Sequence, residues 1–169
     1  LPYRYLVTIN NKVTKYKDVV YSFLEDCMSN MKRVLVTGAT GQQGGSVAKY
    51  LVATGNHVRG LTRNDQSEAA KTLRTMGVEL VKGDFTDAAT LSAALRDVDA
   101  AFLMSTPFEA GTDAETAQGK AFVAASKSAG VGHVLFSSVS DADKQTGIPH
   151  FDSKYEVEEH LSDSGLTYT

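Results

Sequence analysis

The 169-residue chain is 42% hydrophobic and 22% charged, a length and balance that support one globular core. Its formal net charge of −3 and pI near 5.8 supply no broad basic surface, which argues against direct nucleic-acid binding. The single cysteine, Cys27, excludes an internal disulfide or a multi-cysteine metal site and fits a reducing, cytoplasmic setting. No apolar run approaches the roughly 20 residues that span a bilayer, so no membrane partner is expected.

Residues 1–30 differ in composition from the rest of the chain. They contain Tyr3, Tyr5, Tyr16 and Tyr21 and no glycine, whereas all 14 glycines come after Met31. "MKRVLVTGA", from Met31, reads like a natural start, with two basic residues ahead of a buried strand. Residues 1–30 are therefore expected to be an N-terminal extension of uncertain origin. It is either loosely attached or folded as a short strand and a helix around "KDVVYSFLEDCM".

Beyond Met31, short β-branched runs alternate with helical patterns, the signature of βαβ units on a parallel sheet. In order come the strand "RVLVTGA", a helix in "GSVAKYLVATG", the strand "HVRGLTR", a helix near "SEAAKTLRTMG", the strand "VELVKGD" and a helix in "DAATLSAALRDV". The strand "DAAFLMSTP", a long helix from about Asp113 to Ala129, the strand "HVLFSSV" and a helix in "HFDSKYEVEEHLSDSG" complete five of each. Gly55, Gly77, Gly130 and Gly165 each follow a periodic segment, where a left-handed C-cap belongs. "LTYT", residues 166–169, opens what should be a sixth strand. The expected fold is thus α/β, a Rossmann-type doubly wound parallel sheet over residues 31–169, truncated at the start of the sixth strand and part of a longer protein.

The first of these strands runs into "VLVTGATGQQGG", residues 34–45, which sets Gly38, Gly41 and Gly44 between strand and helix. The first glycine permits the turn, the second lets the backbone approach a pyrophosphate, and the third lets the helix pack on its strand; the helix N-terminus favours the phosphate charge. Thr37, Thr40 and Gln43 can add side-chain hydrogen bonds. The second strand ends "LTRN". Thr62 stands where an acid would hold an NAD ribose, and Arg63 follows it, which points to the 2′-phosphate of NADP(H) in preference to NAD(H). The alternative for Arg63 is a solvated loop cation, a reading that suits Arg59 still better because it faces away at strand spacing. "MSTP" ends the fourth strand, and Ser105, Thr106 and Pro107 are expected to line the ribose side of a ligand crevice.

On the last helix His150, Lys154, Val157 and Leu161 fall at i, i+4, i+7 and i+11. The two apolar residues must face the sheet, which should carry Lys154 and His150 inward. A lysine on a buried stripe requires a partner unless it snorkels out at the helix start. His150 is either an acid–base group or a structural histidine. Glu156, Glu158 and Glu159 read as a solvated charge run.

The glycine spacing resembles that of the short-chain dehydrogenase/reductase superfamily. "TGATGQQGGSVAKYL", "VRGLTRN", "GVELVKGDFTD", "HVLFSSVSDA" and "HFDSKYEVEEHLSDSGLTYT", in that order over Lys32 to Thr169, resemble NmrA-like proteins, an atypical branch of it. The resemblance implies that Asp84 and Phe85 flank the adenine ring; read alone, Asp84 is equally a turn or helix-capping acid before "TDAATL". It further implies a serine after the fifth strand, a position met by Ser137 and Ser138, and a Tyr-x-x-x-Lys in which tyrosine donates a proton and lysine holds the nicotinamide ribose. Lys154 fills the lysine position. His150 stands where the tyrosine belongs, and Tyr155 points about a quarter-turn away. The expected catalytic set is Lys154, His150 and Ser138, with no metal. Two functions are implied: an NADP(H)-binding redox-sensing or regulatory protein with a partner still open, or an NADPH-dependent reductase of a quinone or similar small acceptor. Loss of the tyrosine weighs against ordinary alcohol dehydrogenation and against sugar-nucleotide-modifying relatives.

Overall fold

A computed structural model of the chain describes residues 6–9, 12–15, 32–144 and 146–169. Near the N-terminus, β1 (Leu6–Ile9) and β2 (Lys12–Lys15) pair antiparallel with Leu6 opposite Lys15, two strands where the folded alternative for this stretch had one. The helix expected around "KDVVYSFLEDCM" lies outside the described residues.

Five strands, β3 (Arg33–Val36), β4 (His57–Thr62), β5 (Glu79–Lys82), β6 (Ala100–Leu103) and β7 (His133–Phe136), form one parallel sheet in the order β5-β4-β3-β6-β7. Helices α1 (Gln42–Ala53), α2 (Glu68–Thr75), α3 (Ala88–Ala94) and α4 (Thr112–Ala129) connect them, and α5 (Pro149–Asp163) follows β7. Each strand and helix expected beyond Met31 forms. The four expected C-cap glycines have φ of 86°, 92°, 73° and 77°, the left-handed region that terminates a helix. "LTYT" does begin a sixth parallel strand. Val134 N donates to Thr167 O and Phe136 N to Thr169 O, both at 2.9 Å, and Thr169 N donates to Val134 O at 3.0 Å.

The apolar run of β3 is explained by burial on both faces, the rule for parallel sheets. Val34 and Val36 pack with Ala48 and Leu51 of α1 and Leu73 of α2. Leu35 points the other way, to Leu91 of α3, Phe122 and Val123 of α4, and Val157 and Leu161 of α5. On that second face α4 and α5 approach closely because Gly119 has no side chain: a Cβ there would lie 2.5 Å from Val157 Cγ2. One turn earlier on each helix, Glu115 and Lys154 are thereby brought face to face. Strand order reverses between β3 and β6, and ligands of such sheets bind outside the carboxyl ends of the strands at that reversal.

Arg59 departs from its expected role as a solvated cation. It is buried, its Nη1 donates to the carbonyls of Ala94 and Arg96 at 2.8 Å each, and its Nε lies 3.1 Å from Glu79 Oε1. A cation at the C-terminal end of α3 satisfies carbonyls that have no helical partner.

Candidate functional site

The turn after β3 is shaped by glycine. Gly38 has φ 59°, and Gly41 N donates to Gly38 O at 2.9 Å. A Cβ on Gly44 would collide with the Gly38 carbonyl and sit 2.5 Å from that of Thr37, so only glycine lets α1 start hard against β3. The Thr37 hydroxyl serves the fold instead of a ligand: it accepts from Met104 N at 2.8 Å and donates to Met104 O at 3.2 Å, tying β3 to β6. Among the described helices α1 alone has neither a side-chain cap nor an acid in its first turn; Ser67 and Asp87 cap α2 and α3, while α4 and α5 start with acids. Its positive end is therefore uncompensated, which suits an anion.

A cleft of about 590 Å³ opens at this edge. Gly38 and Thr40 line one end, and Arg63, Asp84, Phe85 and Thr106 line it as the sequence suggested, together with Thr62, Asn64, Met104, Glu109 and Gln118. Volume, glycine-shaped turn and exposed helix terminus fit a dinucleotide. Arg63 has a partner: its Nη2 lies 2.7 Å and 2.9 Å from the two carboxylate oxygens of Glu109. Of its two expected parts, Asp84 takes that of the turn acid. It lines the cleft, and its Oδ1 accepts from the Thr86 hydroxyl at 2.7 Å and the Thr86 N–H at 2.8 Å, bonds that hold its carboxyl below the usual value. The cap of α3 is Asp87, which accepts from Ala89 N and Thr90 N. Phe85 meets Phe122 edge to face at 5.8 Å.

Ser105 and Pro107, expected beside the ribose, are absent from the cleft wall. Ser105 is buried and donates to Glu115, and the Pro107 carbonyl accepts from Gly111 N at 2.8 Å to close a loop. Gly41, Gln43 and Gly44 also stand back from it. Gln43 Nε2 donates to Ser137 Oγ at 2.6 Å, linking α1 to the end of β7.

Lys154 has the partner that its position on α5 requires. Its Nζ lies 2.9 Å from Oε1 of Glu115 and donates to the carbonyls of Ser105 at 3.2 Å and Ser137 at 3.3 Å, with the Phe136 ring centroid 5.2 Å away. Glu115 is fully buried and also accepts from Ser105 Oγ at 3.2 Å and Ser153 Oγ at 2.7 Å. One carboxylate thus gathers α4, α5 and the end of β6. The sequence carried a signal for it: Glu115, Gly119, Phe122, Val123 and Ser126 form the buried stripe of α4, so an acid stands on an inward face just as Lys154 does.

His150 is not carried inward. It is exposed, with its ring edge-on to Phe151 at 4.8 Å. The packed row of α5 is Ser153, Val157 and Leu161, and Lys154 sits at its margin, so the turn holding Pro149 and His150 precedes the covered part of the helix. Ser138 donates a short hydrogen bond to Glu158, one turn beyond Lys154. Glu158 is therefore no part of a solvated run; burial pushes its carboxyl up, opposed by the Ser138 bond. Glu156 does remain exposed, paired with Lys120 at 2.9 Å. Tyr155 is raised chiefly by the charge of Glu159.

The profile of the NmrA-like family matches residues 30–169. The NmrA-like family domain-containing oxidoreductase notA of Aspergillus sp. (strain MF297-2) is 37% identical over 149 residues, covering 80% of this chain and 43% of that protein. Among solved structures, NmrA, a negative transcriptional regulator in complex with NADP, superposes with a TM-score of 0.72 at 27% identity over 83% of this chain and 44% of that one. An NADPH-dependent quinone oxidoreductase of Escherichia coli, complexed with NADPH, gives a TM-score of 0.70 at 30% identity over 80% and 46%. The chain spans less than half the length of each of these proteins.

Proposed function

The chain belongs to the NmrA-like family, and from that membership we propose that it binds NADP(H) and acts as a redox-sensing or regulatory protein. The observation that carries this reading is the uncapped N-terminus of α1, opening on a cleft whose far lip bears Arg63. Gly38 lines the pyrophosphate end of the cleft, Gly44 lets α1 start against β3 so that its N-terminus faces that end, Arg63 offers its charge to a 2′-phosphate, and Asp84, Phe85 and Thr106 meet the adenosine. Lys154, behind the cleft wall, is assigned the nicotinamide ribose by the family resemblance alone. When bound, the nicotinamide gives or takes a hydride; the protein's part is to hold and orient it. The Lys154 ammonium is already engaged by Glu115 and two carbonyls and His150 is exposed, which favours sensing over turnover.

A second reading, an NADPH-dependent reductase of a quinone or similar acceptor, is favoured by Ser138. Its hydroxyl is backed by Glu158, a carboxyl that burial disposes to keep its proton. Among the described residues no helix is long and apolar enough to cross a membrane.

Calorimetric titration with NADP⁺, NADPH, NAD⁺ and NADH tests the first reading. The phosphorylated pair should bind more tightly. Arg63→Ala should weaken that pair about tenfold or more, the loss expected for a charged hydrogen bond, and leave NAD(H) unchanged. A several-fold gap between NADP⁺ and NADPH supports sensing, and quinone-dependent NADPH oxidation supports the second reading. Binding of none of the four removes both.

A further inference from the structure

Arg63 is the only cation lining the cleft among the described residues, and two carboxylates, Asp84 and Glu109, line it too. Glu109 sits on the loop between β6 and α4, closed by the Gly111 N to Pro107 O bond, with Phe108 beside it 90% exposed. From there its carboxylate reaches Arg63, beyond the end of β4, through both oxygens, so the ion pair joins the two lips of the cleft. Both side chains are more than half exposed, which makes the pair weak enough to open.

We infer that Glu109 is a specificity-determining residue, competing with a nucleotide's 2′-phosphate for Arg63. The inference rests on reading the cleft as a dinucleotide site. A 2′-phosphate brings close to two negative charges. To reach the Arg63 guanidinium it must displace the Glu109 carboxylate, and it is repelled by that carboxylate while the two remain near each other. A nucleotide with a free 2′-hydroxyl leaves the pair closed. Glu109 therefore lowers affinity for phosphorylated nucleotides alone. Exposed pairs of this kind are worth a factor of about two to five in an equilibrium constant.

The test uses the full chain and two probes that differ only at the 2′ position, adenosine 2′,5′-bisphosphate and adenosine 5′-phosphate, titrated into wild type, Glu109→Gln and Arg63→Gln. In Glu109→Gln the bisphosphate should bind about two- to fivefold more tightly and the monophosphate unchanged; in Arg63→Gln the preference between the probes should collapse. A bisphosphate affinity that falls, or a parallel shift of both probes, in Glu109→Gln overturns the inference. Binding of both probes with an unaltered ratio in Glu109→Gln overturns it while leaving the dinucleotide reading intact. If wild type binds neither probe nor NADP(H), the dinucleotide reading fails and takes the inference with it.

Discussion

Replacing Glu115 with alanine removes the counter-charge of Lys154 from a fully buried position and leaves the Ser105 and Ser153 hydroxyls without their acceptor. Removing one partner of a buried ion pair costs about 3–5 kcal/mol, because the other charge stays in the protein uncompensated. Here the lower end is expected, since Lys154 retains two carbonyls and the Phe136 ring and its side chain is 13% exposed. Against a total stability of about 5–15 kcal/mol for a typical domain, this is a large share. The assay is urea unfolding followed by far-UV circular dichroism, where the midpoint should fall at constant slope. Thermal melting should drop by about 6–12 °C, from roughly 2–4 °C per kcal/mol at this chain length. Pairing the change with Lys154→Met should recover much of the loss, because no lone charge then remains buried. A Glu115→Ala loss below about 1 kcal/mol, or a double variant less stable than the single one, would refute the account of Glu115 as the hub of these helices.

Gly44→Val should cost at least about 1–3 kcal/mol, as overpacking does, by driving a side chain into the Gly38 and Thr37 carbonyls, and should abolish nucleotide binding even where the protein stays folded. Melting and titration on the same sample separate the two effects. For Glu158, burial raises the folded-state pKa above the unfolded one, so its contribution is present at low pH and is lost as pH rises through the folded value. Glu158→Gln should therefore gain melting temperature over wild type near pH ~8 and show little difference near pH ~3, below the unfolded pKa, where the wild-type carboxyl is largely protonated in both states. An equal gain at both pH values would show that ionisation plays no part.

Much of the architecture was legible because it depends on neighbours along the chain. β-Branched runs alternating with 3.6-residue periodicity fix βαβ units, and the handedness of parallel crossovers then limits the sheet order. Glycines after Thr54, Met76, Ala129 and Ser164 mark helix ends through a backbone conformation that other residues avoid. The turn was readable from the spacing of Gly38, Gly41 and Gly44, of which Gly38 needs a positive φ and Gly44 the absence of a side chain, and the demand that Lys154 have a partner was readable from its place on the inward stripe of its helix.

What the sequence left open was the identity of partners far apart in the chain. Glu115 meets Lys154 only because Gly119 lets α4 settle against Val157, and Glu109 meets Arg63 only because the loops after β4 and β6 share one edge of the sheet. His150 shows the limit of helical periodicity: spacing gives the direction of a side chain, but burial also requires a neighbouring element at that height. Local conformation is set by steric and hydrogen-bond preferences within a few residues, so the sequence alone determined the elements and the glycine turn. Which charges face one another is set by how those elements stack, and that only the tertiary structure decided.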